Sequence, residues 1–353
     1  MSTTMQLKLD RKRRGLFLRR ILADLPKTPW HAPLTLLSAW YHGYSTQQIL
    51  YHGLQPAQYA DYFPDLDRYV FTIRTNQQVW PILHDKLIFD AFMSERLPII
   101  PAVAVCIQGQ YIPLRPEGEP EALLSQLIAG HSFMVKPLQG GKGQGIRRLS
   151  ATGEQLHWGS QRLPWAEIQQ LWAGLDAHLL VPFKSQHPTL ATVYPDASNT
   201  LRLTVFKPRG HAVQFFSPLL RVGTDRSAPL DNFSQGGLLC AIDWATGRVT
   251  QACIRDAGYR RHIIHQHPDT GVELIGLSIP FWSAITARLS AFHDHYPCFD
   301  WVGWDVLIGE QAWWVIEGNH NPDLDLPFSF TTRREHPELD RFMRALYEDT
   351  PPC

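Results

Sequence analysis

Five segments between residues 200 and 319 alternate their side chains with a period of two: TLRLTVF (200–206), AVQFFSPLLRVG (212–223), CAIDWATGRV (240–249), WVGWDVLI (301–308) and AWWVIEGN (312–319). Successive side chains of a strand point to opposite faces, so this pattern specifies sheet rather than helix. Thr246 and Gly247 place a turn inside the third segment. A helical pattern, SAITARLSAFHDH (283–295), interrupts the run, and a polar helix is expected over 333–348. Antiparallel strands with helices on one side predict an α+β unit over 184–353.

The stretch 81–183 predicts a second, smaller α+β unit. DKLIFDAFMSERL (85–97) has helical periodicity, with Leu87, Ile88, Ala91 and Phe92 on its apolar side and Pro98 as its stop. PAVAVCI (101–107), HSFMVKPL (131–138), IRRLS (146–150) and HLLVPF (178–183) read as strands, and 120–129 and 165–175 as helices. Residues 1–80 read as a mostly helical region broken at Pro56 and Pro64. Its tyrosines Tyr41, Tyr44, Tyr51, Tyr59 and Tyr62 are expected to pack. Residues 5–25 form a basic amphipathic helix with Leu7, Leu9, Leu16, Phe17, Ile21 and Leu22 as apolar positions. Such a helix either docks on the body of the protein or makes a weak membrane-surface or nucleic-acid contact.

Composition narrows the function classes. Lys+Arg and Asp+Glu are both 33, so the zero net charge removes the simplest case for a nucleic-acid binder. Five cysteines without C-x-x-C spacing predict reduced thiols and a cytoplasmic setting. No apolar run approaches the ~20 residues of a membrane span. His262, His265 and His267 lack the spacing and thiolate partner of a zinc site. Oligomeric state is not readable.

Four constellations carry possible chemistry. In VKPLQGGKGQGI (135–146), Gly140, Gly141, Gly143 and Gly145 let the backbone approach a ligand, and Lys136 and Lys142 add charges suited to phosphate. The run lies between strands and lacks a G-K-[ST] ending, so it is neither a Walker loop nor a dinucleotide fingerprint. Taken alone, it is equally a hairpin turn. In the last two strands, Glu317 and Asn319 are two apart and share a face, and Asp305 can meet them from the neighbouring strand. Two carboxylates and an amide oxygen suit Mg2+ held partly by substrate phosphates, or else form salt bridges at a sheet edge. Arg202, in an apolar strand, wants an anion: a ligand, or one of the same acidic residues. The loop DNFSQGG (231–237) either touches a substrate or turns the chain.

In order and spacing these pieces resemble the ATP-grasp superfamily, most nearly the sugar-transfer-associated ATP-grasp proteins related to carboxylate–amine ligases. The resembling stretches are HDKLIFDAFMSERLPIIP (84–101), FMVKPLQGGKGQGI (133–146), QHPTLATVYPDASNTLRLTVF (186–206), DNFSQGGLLCAIDWATG (231–247), HPDTG (267–271) and VGWDVLI with VIEGNHNPDL (302–324). The resemblance implies an ATP-grasp fold, two α+β subdomains clasping ATP. It also implies that Lys86 and Lys136 contact phosphates and that 140–145 is a lid over them. Leu180 and Val181 would offer backbone groups to adenine, with Arg202 on the transferred phosphoryl or an acyl phosphate, and Asp305, Glu317 and Asn319 around Mg2+. The implied activity is an ATP-dependent ligase for a small-molecule carboxylate and an amine, with family links to polysaccharide biosynthesis. A small-molecule kinase and a non-catalytic nucleotide-binding module are the alternatives.

Overall fold

The structure, a computed structural model, describes residues 3–25, 33–140, 143–153, 155–208 and 210–348. It divides into two compact units. One comprises Met1–Val79, Pro188–Val306 and Gly318–Cys353; the other comprises Trp80–His187 and Leu307–Glu317. This differs from the three-part expectation at 80 and 183. The N-terminal helices share a core with the C-terminal sheet, so they are not a body of their own.

In the smaller unit, β1 (Ala104–Ile107), β2 (Gln110–Pro113), β3 (Phe133–Pro137), β4 (Arg147–Thr152), β5 (Gln155–Trp158), β6 (Gln161–Pro164) and β7 (His178–Pro182) form a sheet in the order β2-β1-β7-β3-β4-β5-β6. Phe133, Val135, Leu149 and Leu180 pack with Leu123, Leu127 and Trp172, from helices Pro120–Ile128 and Ile168–Ala173. Leu179 and Val181 lie in a second cluster with Val105 and Leu138, against which Leu87 packs. The short polar strands β2, β5 and β6 carry too few apolar residues to announce themselves in sequence.

Leu87 belongs to helix Lys86–Met93, which Asp85 caps by accepting from Leu87 N (2.9 Å) and Ile88 N (3.2 Å). The helix ends four residues earlier than its periodicity predicts, and its buried residues are Phe89, Asp90 and Met93, while Ile88 is exposed. A carboxylate decides this orientation. Asp90 is buried because it accepts from Ala102 N and from Arg115, both at 2.7 Å.

The second sheet, whose residues other than Leu307–Glu317 belong to the larger unit, takes β8 (Thr200–Phe206), β9 (Gln214–Val222), β10 (Leu238–Ile242), β11 (Val249–Arg255), β12 (Arg261–Ile264), β13 (Trp301–Ile308) and β14 (Trp313–Asn319) in the order β12-β11-β10-β9-β8-β13-β14. The expected turn closes the β10–β11 hairpin, with Thr246 N donating to Asp243 Oδ1 (2.9 Å). Every residue of β8 and of β13 is buried, so helices on one side only is not the arrangement. Phe206 and Trp301 pack under Leu36, Phe63, Phe342 and Met343, from the N- and C-terminal helical segments. Trp304 packs edge-on against Phe292, and its Nε1 donates to His293 Nε2 (2.9 Å) on helix Trp282–His295. Period two therefore coexists with burial on both faces.

The N-terminal helix, Thr3–Asp24, docks on this unit. Phe17 and Ile21 are buried, and Arg20 reaches Tyr69 OH and Gln47 Oε1, each at 3.3 Å. Leu16 and Leu22, expected on the apolar face, are exposed instead. Of the tyrosines expected to pack, Tyr44, Tyr51 and Tyr62 are buried, whereas Tyr41 is exposed. No helix among the described residues is long and apolar enough to cross a membrane.

Candidate nucleotide and anion sites

The predicted residues form two groups, one in each unit. In the smaller unit, Lys136 stands on β3 opposite Leu179 of β7. Burial pushes its ammonium below the ordinary lysine range; Glu317 opposes that shift and the Lys86 charge adds to it. These three side chains therefore share one electrostatic environment. Lys86 N donates to Leu138 O (3.0 Å), and its Nζ donates to Gly140 O (3.2 Å), fastening the helix start to the glycine turn. Gly140, Gly143 and Gly145 all have positive φ. At Gly145 (φ +74°) a Cβ would stand 2.9 Å from Pro137 Cγ, so the turn needs glycine for its backbone angle and for its approach to β3. Gly141 and Lys142 lie outside the described residues.

Leu180 and Val181 stand on β7. β7 is an interior strand, paired with both β1 and β3. The Leu180 carbonyl accepts from Val103 N (2.9 Å), and both side chains are buried. Val181 is paired with Met134 of β3, and the Leu180 carbonyl is engaged within the sheet on the β1 side, where the paired residues of β7 are His178, Leu179 and Leu180.

In the larger unit, Arg202 meets Asp305 in a bidentate clasp, Nε to Oδ1 at 2.5 Å and Nη2 to Oδ2 at 3.2 Å. Of the two partners open to Arg202, anion or acidic residue, this structure shows the acidic residue. Burial alone would raise the Asp305 carboxyl, but Arg202 and Arg221 together hold it below the ordinary aspartate range. Arg221, on β9, donates through Nη2 to Asp305 Oδ2 (3.0 Å) and through Nε to Thr200 Oγ1 (3.1 Å). Thr200 N in turn donates to Asp231 Oδ2 (3.0 Å), as does the Thr200 hydroxyl. Asp231 is the first residue of the DNFSQGG loop. That loop is drawn tight at Gly237, where a Cβ would stand 2.8 Å from Asp231 O and 2.9 Å from Val222 O. Arg221 and Thr200 escaped the sequence reading, and Asp231 entered it only as part of the DNFSQGG loop. The signal was there for Arg221, since it sits in an apolar strand as Arg202 does.

Asn319 donates from Nδ2 to Gly303 O (3.0 Å), which fixes the amide and turns its oxygen away from that carbonyl. Among the described residues no group of three or more His, Cys, Asp or Glu side chains is arranged to hold a metal. The proposed set has two carboxylates and an amide, a hard-oxygen set suited to Mg2+ only in company with phosphate or water. Asp305 is committed to two guanidinium groups, and the Asn319 amide nitrogen to the Gly303 carbonyl. His267, by contrast, is structural, with Nε2 against Gly223 O (2.8 Å) and Nδ1 accepting from Asp269 N (3.2 Å).

Comparison with known proteins adds the family. A comparison with curated protein sequences gave no match. Similar solved structures include the ADP complex of N5-carboxyaminoimidazole synthetase from Staphylococcus aureus, at 9% identity and TM-score 0.38 over 69% of this chain and 46% of that one. D-alanyl-alanine synthetase A from Vibrio cholerae matches at 10% and 0.40, over 74% of this chain and 66% of that one. D-alanine–D-alanine ligase from Bacillus anthracis matches at 12% and 0.39, over 81% and 72%. The chain spans about half the length of the N5-carboxyaminoimidazole synthetases it matches. The family model described as sugar-transfer associated ATP-grasp matches residues 67–329. With most of the chain under that match, including every predicted site residue, the protein belongs to the sugar-transfer-associated ATP-grasp family.

Proposed function

We propose that the protein is an ATP- and Mg2+-dependent ligase that joins a carboxylate to an amine through an acyl phosphate. The observation that supports this best is the Lys86, Lys136 and Glu317 group. Burial and the Lys86 charge both press on the Lys136 ammonium while Glu317 opposes them, and a bound anion would relieve that cost. The adjoining glycine turn brings backbone to the same place. In this reading Lys86 and Lys136 bind phosphate oxygens, and the turn at 140–145 covers them. Glu317 and Asn319 hold Mg2+ together with the phosphates, and Asp305 joins them when its arginines find another partner. Mg2+ supplies charge neutralisation of the phosphates.

The chemistry needs no nucleophile from the protein. A carboxylate oxygen of the substrate attacks the γ-phosphorus, and the bond to the β,γ-bridging oxygen breaks to release ADP. The amine then attacks the acyl carbon, phosphate leaves with the C–O bonding pair, and the nitrogen gives up a proton. Positioning and charge neutralisation carry such a transfer, and Arg202 would hold the transferred group by its planar fork. The family's link to sugar transfer favours a sugar acid or an amino acid destined for a glycan, handled in the cytoplasm where ATP is supplied.

The test is hydroxylamine trapping. The protein is incubated with ATP, Mg2+, hydroxylamine and a panel of sugar acids and amino acids, and hydroxamate and ADP are measured. A carboxylate-dependent hydroxamate is expected. A stable phosphate ester isolated from the true substrate would replace the ligase with a kinase.

A further inference from the structure

We infer that Arg221 is the second arm of an oxyanion site on the sheet of the larger unit, and that Asp305 fills this site until the oxyanion arrives. The identity of the anion, a phosphoryl group, rests on the ligase reading; the site itself rests on geometry. Arg202 and Arg221 approach one carboxylate from neighbouring strands, with Arg202 donating to both oxygens of Asp305 and Arg221 to Oδ2. The Arg202 and Asp305 side chains are only 10% and 6% exposed, and that of Arg221 is 13% exposed. Taking ions out of water costs several kcal/mol each, and an apolar replacement is often no less stable, so stability alone is a weak reason for such a cluster. Two forks converging on a planar anion form a receptor for an oxyanion, and the carboxylate now held there has the same hydrogen-bonding face as a phosphoryl group.

Arg221 is also provided with a second set of partners. Its Nε donates to Thr200 Oγ1 (3.1 Å) and lies 3.5 Å from Asp231 Oδ2, and Asp231 is anchored by Thr200. Arg221 therefore stays held when Asp305 leaves. A tetrahedral oxyanion displaces the Asp305 carboxylate from both guanidinium groups, Thr200 and Asp231 keep Arg221 aimed, and the released carboxylate becomes available to a cation that accompanies the anion. The DNFSQGG loop gains a purpose from this: it positions Asp231, which positions Arg221.

The experiment reads arginine Nε–Hε signals by 15N NMR in the full chain, with Arg202 and Arg221 assigned from Arg202→Lys and Arg221→Lys. Pyrophosphate alone, a non-hydrolysable ATP analogue with Mg2+, and acetate are titrated separately, which distinguishes a phosphoryl source from a carboxylate one. Pyrophosphate and the nucleotide analogue are expected to move both signals, and acetate to move them only weakly. Arg221→Lys is expected to weaken pyrophosphate binding by about tenfold and Arg221→Gln by about a hundredfold, the lysine keeping charge without the fork. If the analogue saturates the protein and only the Arg202 signal moves, Arg221 is a structural clamp and the inference fails while the ligase reading stands. If pyrophosphate moves both signals and nucleotide does not bind, the site stands and the ligase reading fails. If acetate alone moves them, the site takes carboxylates and its assignment to phosphoryl is overturned. If no probe moves Arg221, the inference is overturned outright.

Discussion

The two sheets hold their cations in opposite ways. In the smaller unit Lys136 is half-buried and, among the described residues, makes no ion pair or hydrogen bond; its charge is disfavoured by burial and by Lys86 and favoured by Glu317. In the larger unit Arg202 and Arg221 are matched by Asp305 and backed by Thr200 and Asp231. The chemistry of the two side chains explains the division. A lysine can give up its proton when burial presses on it, so it tolerates lacking a partner. An arginine stays charged at any accessible pH and must be matched. The lysine group is thus ready for an anion in the free protein, whereas the arginine group must first release one.

Four substitutions break or sharpen this comparison. The largest effect is expected for Glu317→Gln, which removes the carboxylate that favours the charged form of Lys136 and a proposed metal ligand. Turnover should fall at least a hundredfold, about 2.7 kcal/mol of transition-state stabilisation, with folding intact. Normal ADP release at limiting Mg2+ would remove Glu317 from the site.

Arg202→Lys comes next. Losing the fork should lower kcat by roughly tenfold or more and weaken nucleotide binding by less, because the lysine group also holds the phosphates. Equal losses in kcat and in affinity would mean that the fork does no more in the transition state than in the bound nucleotide.

Lys136→Met separates binding from stability. Nucleotide affinity should drop about tenfold, as for one charge-assisted hydrogen bond. Stability should move the other way. A lysine whose folded pKa is depressed binds fewer protons in the native state than in the unfolded state, between the two pKa values. Wild-type stability therefore rises with pH through that window, and below it the charged lysine is a net cost. The methionine variant should melt at or slightly above the wild-type temperature at neutral pH, and its advantage should vanish above the ordinary lysine pKa of about 10.4. A lower melting temperature at pH 7 would show that Lys136 is well paired after all.

Gly145→Ala should have the smallest effect, placing a Cβ 2.9 Å from Pro137 Cγ at φ +74°. About 1–2 kcal/mol of local strain is expected, read as a small fall in melting temperature and a weaker hold on nucleotide. An alanine variant indistinguishable from wild type would mean that the turn moves freely away from β3.

Much of this was legible along the chain. Period-two segments located β8, β9, β10, β13 and β14, and the glycine run, the i, i+2 spacing of Glu317 and Asn319, and the arginine in an apolar strand named the residues worth watching. These features are local: side-chain alternation, backbone freedom and charge type are properties of neighbouring residues. Tertiary structure decided what no window could contain. It buried both faces of β8 and β13, rotated helix Lys86–Met93 so that Asp90 meets Arg115, and turned Leu180 and Val181 into an interior strand. It also chose Asp305 as the partner of Arg202 and brought in Arg221 from 19 residues further along. A buried charge takes its partner from whatever the fold sets beside it, and that neighbour is fixed by strand order and register.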